Sequence, residues 1–189
     1  TIGGILDFDI YTGPTPQAVV AQHTEVVGRS QLPAYWTLGF HLCRWRYDSA
    51  ARMSAVIKRM RAARMPYDAQ WNDIDAMQKH LDWTFDAATF AELPEMVRDL
   101  HAHGMRYVTI IDPGISDTAG YAAYERGLQL DVFIKRGDSD KPIVGVVWPG
   151  TTVYPDFTHP NATQWWTECA ATYHQSVPFD GLWIDMNEP

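Results

Sequence analysis

Positive charge is scarce in this 189-residue sequence: 15 Lys and Arg stand against 23 Asp and Glu, a formal net charge of −8 with histidine neutral. A nucleic-acid binder needs a basic stripe, so no nucleic-acid partner is expected. No apolar run approaches the roughly 18 residues that a membrane-spanning helix requires. Cysteine is nearly absent. Cys43 and Cys169 are the only two, too few for a small disulfide scaffold; they suit either a reducing compartment or a large secreted enzyme. There is no repeat of fixed period, no low-complexity tract and no glycine-rich phosphate turn. An initiator Met and a signal peptide are also missing. The sequence opens on Thr1 and closes on Pro189, directly after the polar run Asp185-Met186-Asn187-Glu188. That reads as a piece of a larger domain.

What is present is globular: 46% hydrophobic and 20% charged residues, a balance that disordered chains lack. Aromatic residues, at 13%, supply both a core and flat binding surfaces. Asn161-Ala162-Thr163 is a glycosylation sequon, meaningful only in a secreted chain and common by chance.

The opening segment, Ile2 to Ile10, alternates apolar with other residues and predicts a strand. Gly13-Pro14-Thr15-Pro16 breaks it. Thr15 is placed to cap a helix with Pro16 at its first position, and Gly28 to end it. Residues 1–33 therefore read as a lead-in. From Tyr35 an alternation begins. Tyr35 to Leu42 predicts a strand. Asp48-Ser49 predicts a cap for a helix running to about Arg64, with Met53, Val56, Ile57 and Met60 on one face. Tyr67 to Asp75 predicts a second strand. Leu93, Met96, Val97 and Leu100 repeat the helical spacing, and Tyr107 to Asp112 predicts a third strand. A Gly- and Asp-rich stretch follows, with a short ribbon from Ile143 to Trp148; the whole insertion spans about 113–158. Pro160 opens a last helix bearing Trp165, Trp166, Cys169, Ala170 and Tyr173. Gly181 to Asp185 predicts a fourth strand.

Strand, helix, strand, helix means parallel strands joined by crossover helices. The strand ends fall near 42, 75, 112 and 185, intervals that suit two single crossover units and one unit carrying an insertion. A barrel of eight such units needs about 250 residues, so residues 34–189 would make its first half. The doubly wound open sheet is the runner-up, but it lacks its phosphate turn.

The last three strands each end on carboxylates: Asp73 and Asp75, then Asp112, then Asp185. In a parallel barrel those ends open on the face where catalysis sits. The alternative is that each Asp caps the following turn or helix. Asp112, before Pro113-Gly114, reads as a brace for that turn. Asp73-Ile74-Asp75 has a competing reading as a divalent-metal pair of a glycosyltransferase, if both side chains point to one side of an extended strand. Asp185 sits beside Trp183, Asn187 and Glu188. A carboxylate there can attack an anomeric carbon, and the indole can cover pyranose C–H groups. The bland alternative makes Trp183 core and Glu188 a helix N-terminal acid.

These segments carry a resemblance. Gly13-Pro14-Thr15-Pro16, Leu38 to Trp45, Pro66-Tyr67-Asp68, Asp73-Ile74-Asp75, Asp112-Pro113, Val147 to Gly150 and Phe179 to Glu188 resemble, in order, family 31 of the glycoside hydrolases, the α-glucosidase family. The last is similar to the family's nucleophile signature. The resemblance implies a (β/α)8 barrel preceded by a β-sandwich whose tail is the lead-in. It also implies a retaining α-glucosidase acting on α-glucoside oligosaccharides, without a cofactor, in the secretory pathway. Asp185 would be the nucleophile and Glu188 an auxiliary acid. Asp73 would bind sugar hydroxyls. Ile74, Ile110, Trp148, Trp183 and Met186 would line the first subsite, and Trp45 would border the next. The family's general acid/base and its later Arg and His fall beyond Pro189. The remainder of the catalytic domain is thus an expected partner, and this stretch alone is expected to be inactive. Two departures, Arg46 where Gly is common and Ala76 where Tyr is common, are expected near the substrate mouth. A catalytically dead glucoside-binding relative stays open as a competing function.

Overall fold

The computed structural model describes residues 4–137 and 139–187. The chain divides into two units, one running to Tyr35 and one starting at Trp36. In the first, helix α1 covers Pro16–Val27; the Thr15 hydroxyl accepts the Ala18 N–H at 3.2 Å and Gly28 ends the helix at φ 88°. Hydroxyl cap, early proline and glycine stop match the sequence signals. Residues 4–15 carry no strand, which corrects the expectation for this segment. Alternation makes a strand only where a neighbour takes its backbone groups, and none pairs with it among the described residues.

The second unit comprises β1 (His41–Leu42), α2 (Ala50–Ala62), β2 (Ala69–Asn72), α3 (Leu93–Ala102), β3 (Arg106–Ile111), β4 (Ile115–Ser116), α4 (Ala122–Gln129), β5 (Val144–Val147), β6 (Gly150–Val153), α5 (Ala162–Ser176) and β7 (Gly181–Ile184). Strands β1, β2, β3 and β7 form one parallel sheet in that order. Helices α2, α3 and α5 sit in the crossovers, the pattern of consecutive barrel units. The insertion contributes β4, β6 and β5 as an antiparallel sheet, together with α4. The sequence reading anticipated the ribbon but not this helix.

Two strands are shorter than expected. Tyr35–Leu38 is a 3-10 turn before β1, and Ile74–Ala76 another after β2. The apolar residues of these turns looked strand-like because short runs do not reveal their period.

The main core lies between sheet and helices. Met53 and Ile57 of α2 meet Leu93, Val97 and Leu100 of α3, with Tyr107 of β3. Each fully buried aliphatic side chain contributes about 1.5–3 kcal/mol. Ser49 caps α2 by accepting the Arg52 N–H at 3.2 Å. A second cluster joins the insertion to α5: Trp165 packs with Ile115, Val132, Phe133 and Val153, and its indole N–H donates to the Ala123 carbonyl at 2.9 Å. Asn161 of the sequon uses its side-chain amide to donate to the Leu130 carbonyl at 2.9 Å, a structural contact joining α5 to the end of α4. Both cysteines are free thiols.

Candidate active site

Register and pleat sort the sheet residues by face. Ala69 lies opposite both His41 and Arg106, Trp71 opposite Val108, and Ile110 opposite Trp183. Alternate residues point to opposite faces, so His41, Trp71, Val108, Ile110 and Trp183 share one face, and Gln70, Asn72, Tyr107 and Thr109 the other. Tyr107 belongs to the core under the helices, which makes the His41–Trp183 face the inner one. It is lined by aromatics. The Trp71 indole N–H donates to His41 Nδ1 at 3.1 Å, and the Trp71 and Trp183 rings stand 5.8 Å apart. Because Nδ1 accepts, the imidazole proton is on Nε2, which donates to the Trp36 carbonyl at 3.1 Å.

The carboxylates emerge at the C-terminal rim of this face. Asp112 and Asp185 each follow the last paired residues, Ile111 and Ile184, so they leave the sheet side by side with the parity of Trp183. Asp73 follows Asn72, the partner of Thr109, and leaves level with Ile110. Their mutual repulsion is felt. Burial pushes the Asp112 carboxyl up to about 6; Asp185 and Asp73 push the same way, and His80 opposes them. Asp73 is also raised, first by burial, with the Ile74 N–H pulling it down and Asp75 and Asp185 pushing it up. Below the carboxylates lies an apolar patch of Ile74, Met77 and Ile110 with Trp183 against it. A site of this make-up, acids on an apolar and aromatic floor, is suited to covalent or acid–base work on a polyhydroxylated ligand.

Asp73 and Asp75 do different work. Asp73 caps the 3-10 turn, its Oδ1 accepting the Ile74 N–H at 2.7 Å. Asp75 accepts the Arg46 N–H at 3.2 Å and the Asp48 N–H at 3.3 Å, fastening the β1–α2 loop. The strand ends at Asn72 and Asp75 lies inside the 3-10 turn, so the premise of the paired-metal reading, two acids on one side of a strand, does not hold.

The loops bring up two exposed indoles. Trp148, 51% exposed between β5 and β6, receives on its carbonyl the His80 Nδ1–H at 3.2 Å, and the two rings meet edge to face at 6.3 Å. His80 also acts electrostatically on Asp73 and Asp112, so it links the insertion to the carboxylates. Trp45, 52% exposed, lies on the β1–α2 loop with the Arg46 guanidinium 4.5 Å over its ring. Arg46 stands at φ 67°, in the left-handed region that favours glycine. Met186 is left-handed too, at φ 57°, and its N–H donates to Asp185 Oδ1 at 2.9 Å.

Two expectations need amendment. Ala76 is buried in the main core, in the 3-10 turn after β2. Glu188 lies outside the described residues. Sequence reasoning missed His80 and Asp82. The one signal for Asp82 was an acid between two large apolar residues, Leu81 and Trp83.

Comparisons with known proteins agree with this architecture. Residues 30–189 match the family model for the glycosyl hydrolases family 31 TIM-barrel domain. The chain is 50% identical to intestinal sucrase-isomaltase of Suncus murinus over 192 residues, covering 99% of this chain and 11% of that protein. It is 48% identical to lysosomal alpha-glucosidase of Mus musculus over 190 residues, covering 99% and 20%. Among solved structures, the Tris-bound glucosidase II alpha subunit superposes with a TM-score of 0.86 at 33% identity, over 94% of this chain and 19% of that one. A family 31 alpha-glucosidase from Bacteroides thetaiotaomicron gives 0.79 at 34% identity, over 93% and 29%. The chain thus spans a fifth or less of the two curated relatives.

Proposed function

The chain belongs to glycosyl hydrolase family 31, and on that premise we propose that it is the first half of the catalytic barrel of a retaining α-glucosidase. The parent enzyme removes terminal α-linked glucose from oligosaccharides. The observation that carries this reading is the row of Asp73, Asp112 and Asp185 on one rim of the parallel sheet, above Ile74, Ile110 and Trp183.

In this mechanism Asp185 attacks the anomeric carbon as the glycosidic oxygen leaves with a proton from the general acid. The glucosyl group is then bound to Asp185 with its configuration inverted. Water, deprotonated by the same acid/base, inverts it again, so the product retains the α configuration. The Met186 N–H on Asp185 Oδ1 orients the carboxylate and leaves its other oxygen for attack. Asp73 binds the hydroxyls of the glucose. Ile74, Ile110, Trp148, Trp183 and Met186 enclose that ring, and Trp45 borders the adjacent subsite. Glu188 serves as an auxiliary acid.

The acid/base partner comes from the remainder of the catalytic domain, and without it this stretch alone does not turn over. Acid–base assistance is worth about 10²–10⁴-fold. The edge strand β7 supports the same view: Ile184 is 66% exposed, and Leu182 beside it is also exposed, leaving an apolar edge for the rest of the barrel to cover. Relatives named intestinal sucrase-isomaltase, lysosomal alpha-glucosidase and ER glucosidase II support a place in the secretory pathway. The test is Asp185→Ala in the complete enzyme. The expected result is a loss of turnover of about 10³-fold or more, with substrate binding kept. Wild-type turnover would overturn the proposal.

A further inference from the structure

The chemistry above gives no task to the buried carboxyl of Asp82. Asp82 follows the turn that carries His80 and is only 2% exposed. Its Oδ1 accepts the Asp112 N–H at 3.0 Å, and its own carbonyl accepts the Tyr121 hydroxyl at 2.9 Å. These two bonds join three segments: the loop after β2, the end of β3 and the start of α4. The ladder between β3 and β7 ends at Ile111 and Ile184. Beyond that point the Asp112 N–H depends on Asp82. An orphaned N–H in that buried place would be costly, so the strand end would move to satisfy it.

The charge state fits this task. Asp82 Oδ2 and Asp112 Oδ1 are both buried without a hydrogen-bond partner. Asp82 faces Asp112, Tyr121 and Cys169; Asp112 also faces Asp185, Asp73 and His80. Burial holds the Asp82 carboxyl well above the usual carboxylate range; the Asp112 N–H pulls it down and the charge of Asp112 pushes it up. Burial beside a second acid disfavours the anion of Asp82. A protonated carboxyl still accepts at its carbonyl oxygen.

We propose that Asp82 is a positioning residue for Asp185: by holding the last peptide of β3, it keeps the Asp112 carboxyl beside Asp185 at the rim of the sheet. The inference rests on the reading of Asp185 as nucleophile. Its test is the rate at which a fluorinated α-glucosyl substrate labels Asp185 in the complete enzyme, followed as a function of reagent concentration. Asp82→Leu keeps the bulk and removes the acceptor. It should lower the maximal labelling rate by about 10- to 100-fold, the range expected for a displaced reacting group. The half-saturating concentration should stay within about threefold. Asp82→Asn keeps the acceptor and should restore the rate, with the acid limb of its pH profile unmoved.

Wild-type labelling by Asp82→Leu would overturn the inference. So would parallel loss of rate and saturation, which marks general collapse of the site. A displaced acid limb in Asp82→Asn would show that Asp82 acts through charge, and would also overturn it. Should Asp82→Leu fail to fold, Tyr121→Phe decides: it frees the Asp82 backbone without touching the carboxyl, and must slow labelling in the same sense. Failure of the nucleophile reading itself is recognised separately, as no label on Asp185 in the unsubstituted enzyme.

Discussion

Replacing Asp112 by Asn removes a charge from the most crowded part of the site while preserving shape. Asp112 is 5% exposed, and its carboxyl titrates at about 6, against about 3.9 in an unfolded chain. The gap of about two units corresponds to about 3 kcal/mol at most. The sign follows from linkage. A carboxyl with a raised native pKa binds protons more tightly folded than unfolded. Stability therefore falls as pH rises from about 4 to about 6, and the loss persists above that window. Below about pH 4 the group is neutral in both states and costs nothing. The Asn variant never pays this cost. It does keep a buried polar atom without a partner, so its gain is smaller than the full figure. The expected result is that Asp112→Asn is more stable by about 1–3 kcal/mol at pH 7.5, with the difference shrinking towards zero at pH 4. Urea unfolding of the complete catalytic domain at a series of pH values measures it. A difference independent of pH, or a variant less stable at pH 7.5, would refute the reasoning.

Asp75→Ala frees the Arg46 and Asp48 N–H groups and so loosens the loop bearing Trp45; steady-state kinetics should show KM raised by several-fold and kcat changed less, about 10-fold in kcat/KM overall. Gly127→Ala would set a methyl 2.3 Å from Phe133 Cζ in the insertion core. Thermal unfolding should register a loss of about 1–3 kcal/mol, the usual cost of overpacking. Exhaustive chelation should leave glucosidase activity intact, because Asp73 and Asp75 hold different backbone groups; activity restored only by an added divalent cation would contradict this.

The parallel order was legible because the first two crossover helices carried both a start signal and an apolar face: the Ser49 cap with Met53 and Ile57, and the first-turn Pro94 with Leu93, Val97 and Leu100. The carboxylate row was legible because Asp112 and Asp185 directly follow apolar strands. Other features depend on contacts between distant segments. Asp73-Ile74-Asp75 looks extended by pattern, yet Asp73 caps a tight turn and Asp75 reaches back to Arg46 and Asp48. His80 and Asp82 lie in a loop without periodicity. Their importance comes from Trp148, Asp112 and Tyr121, each at least 30 residues away in sequence. The opening segment shows the opposite error: its alternation is real, but no neighbouring strand among the described residues takes it up.

The central claim is that Asp185 forms a covalent bond to glucose. It is tested most directly by incubating the complete enzyme with a fluorinated α-glucosyl substrate that forms its glycosyl-enzyme quickly and loses it slowly, then locating the adduct by peptide mass mapping. The account predicts one glucosyl adduct, on Asp185. An adduct on another carboxylate, or reagent bound without any adduct, would contradict it.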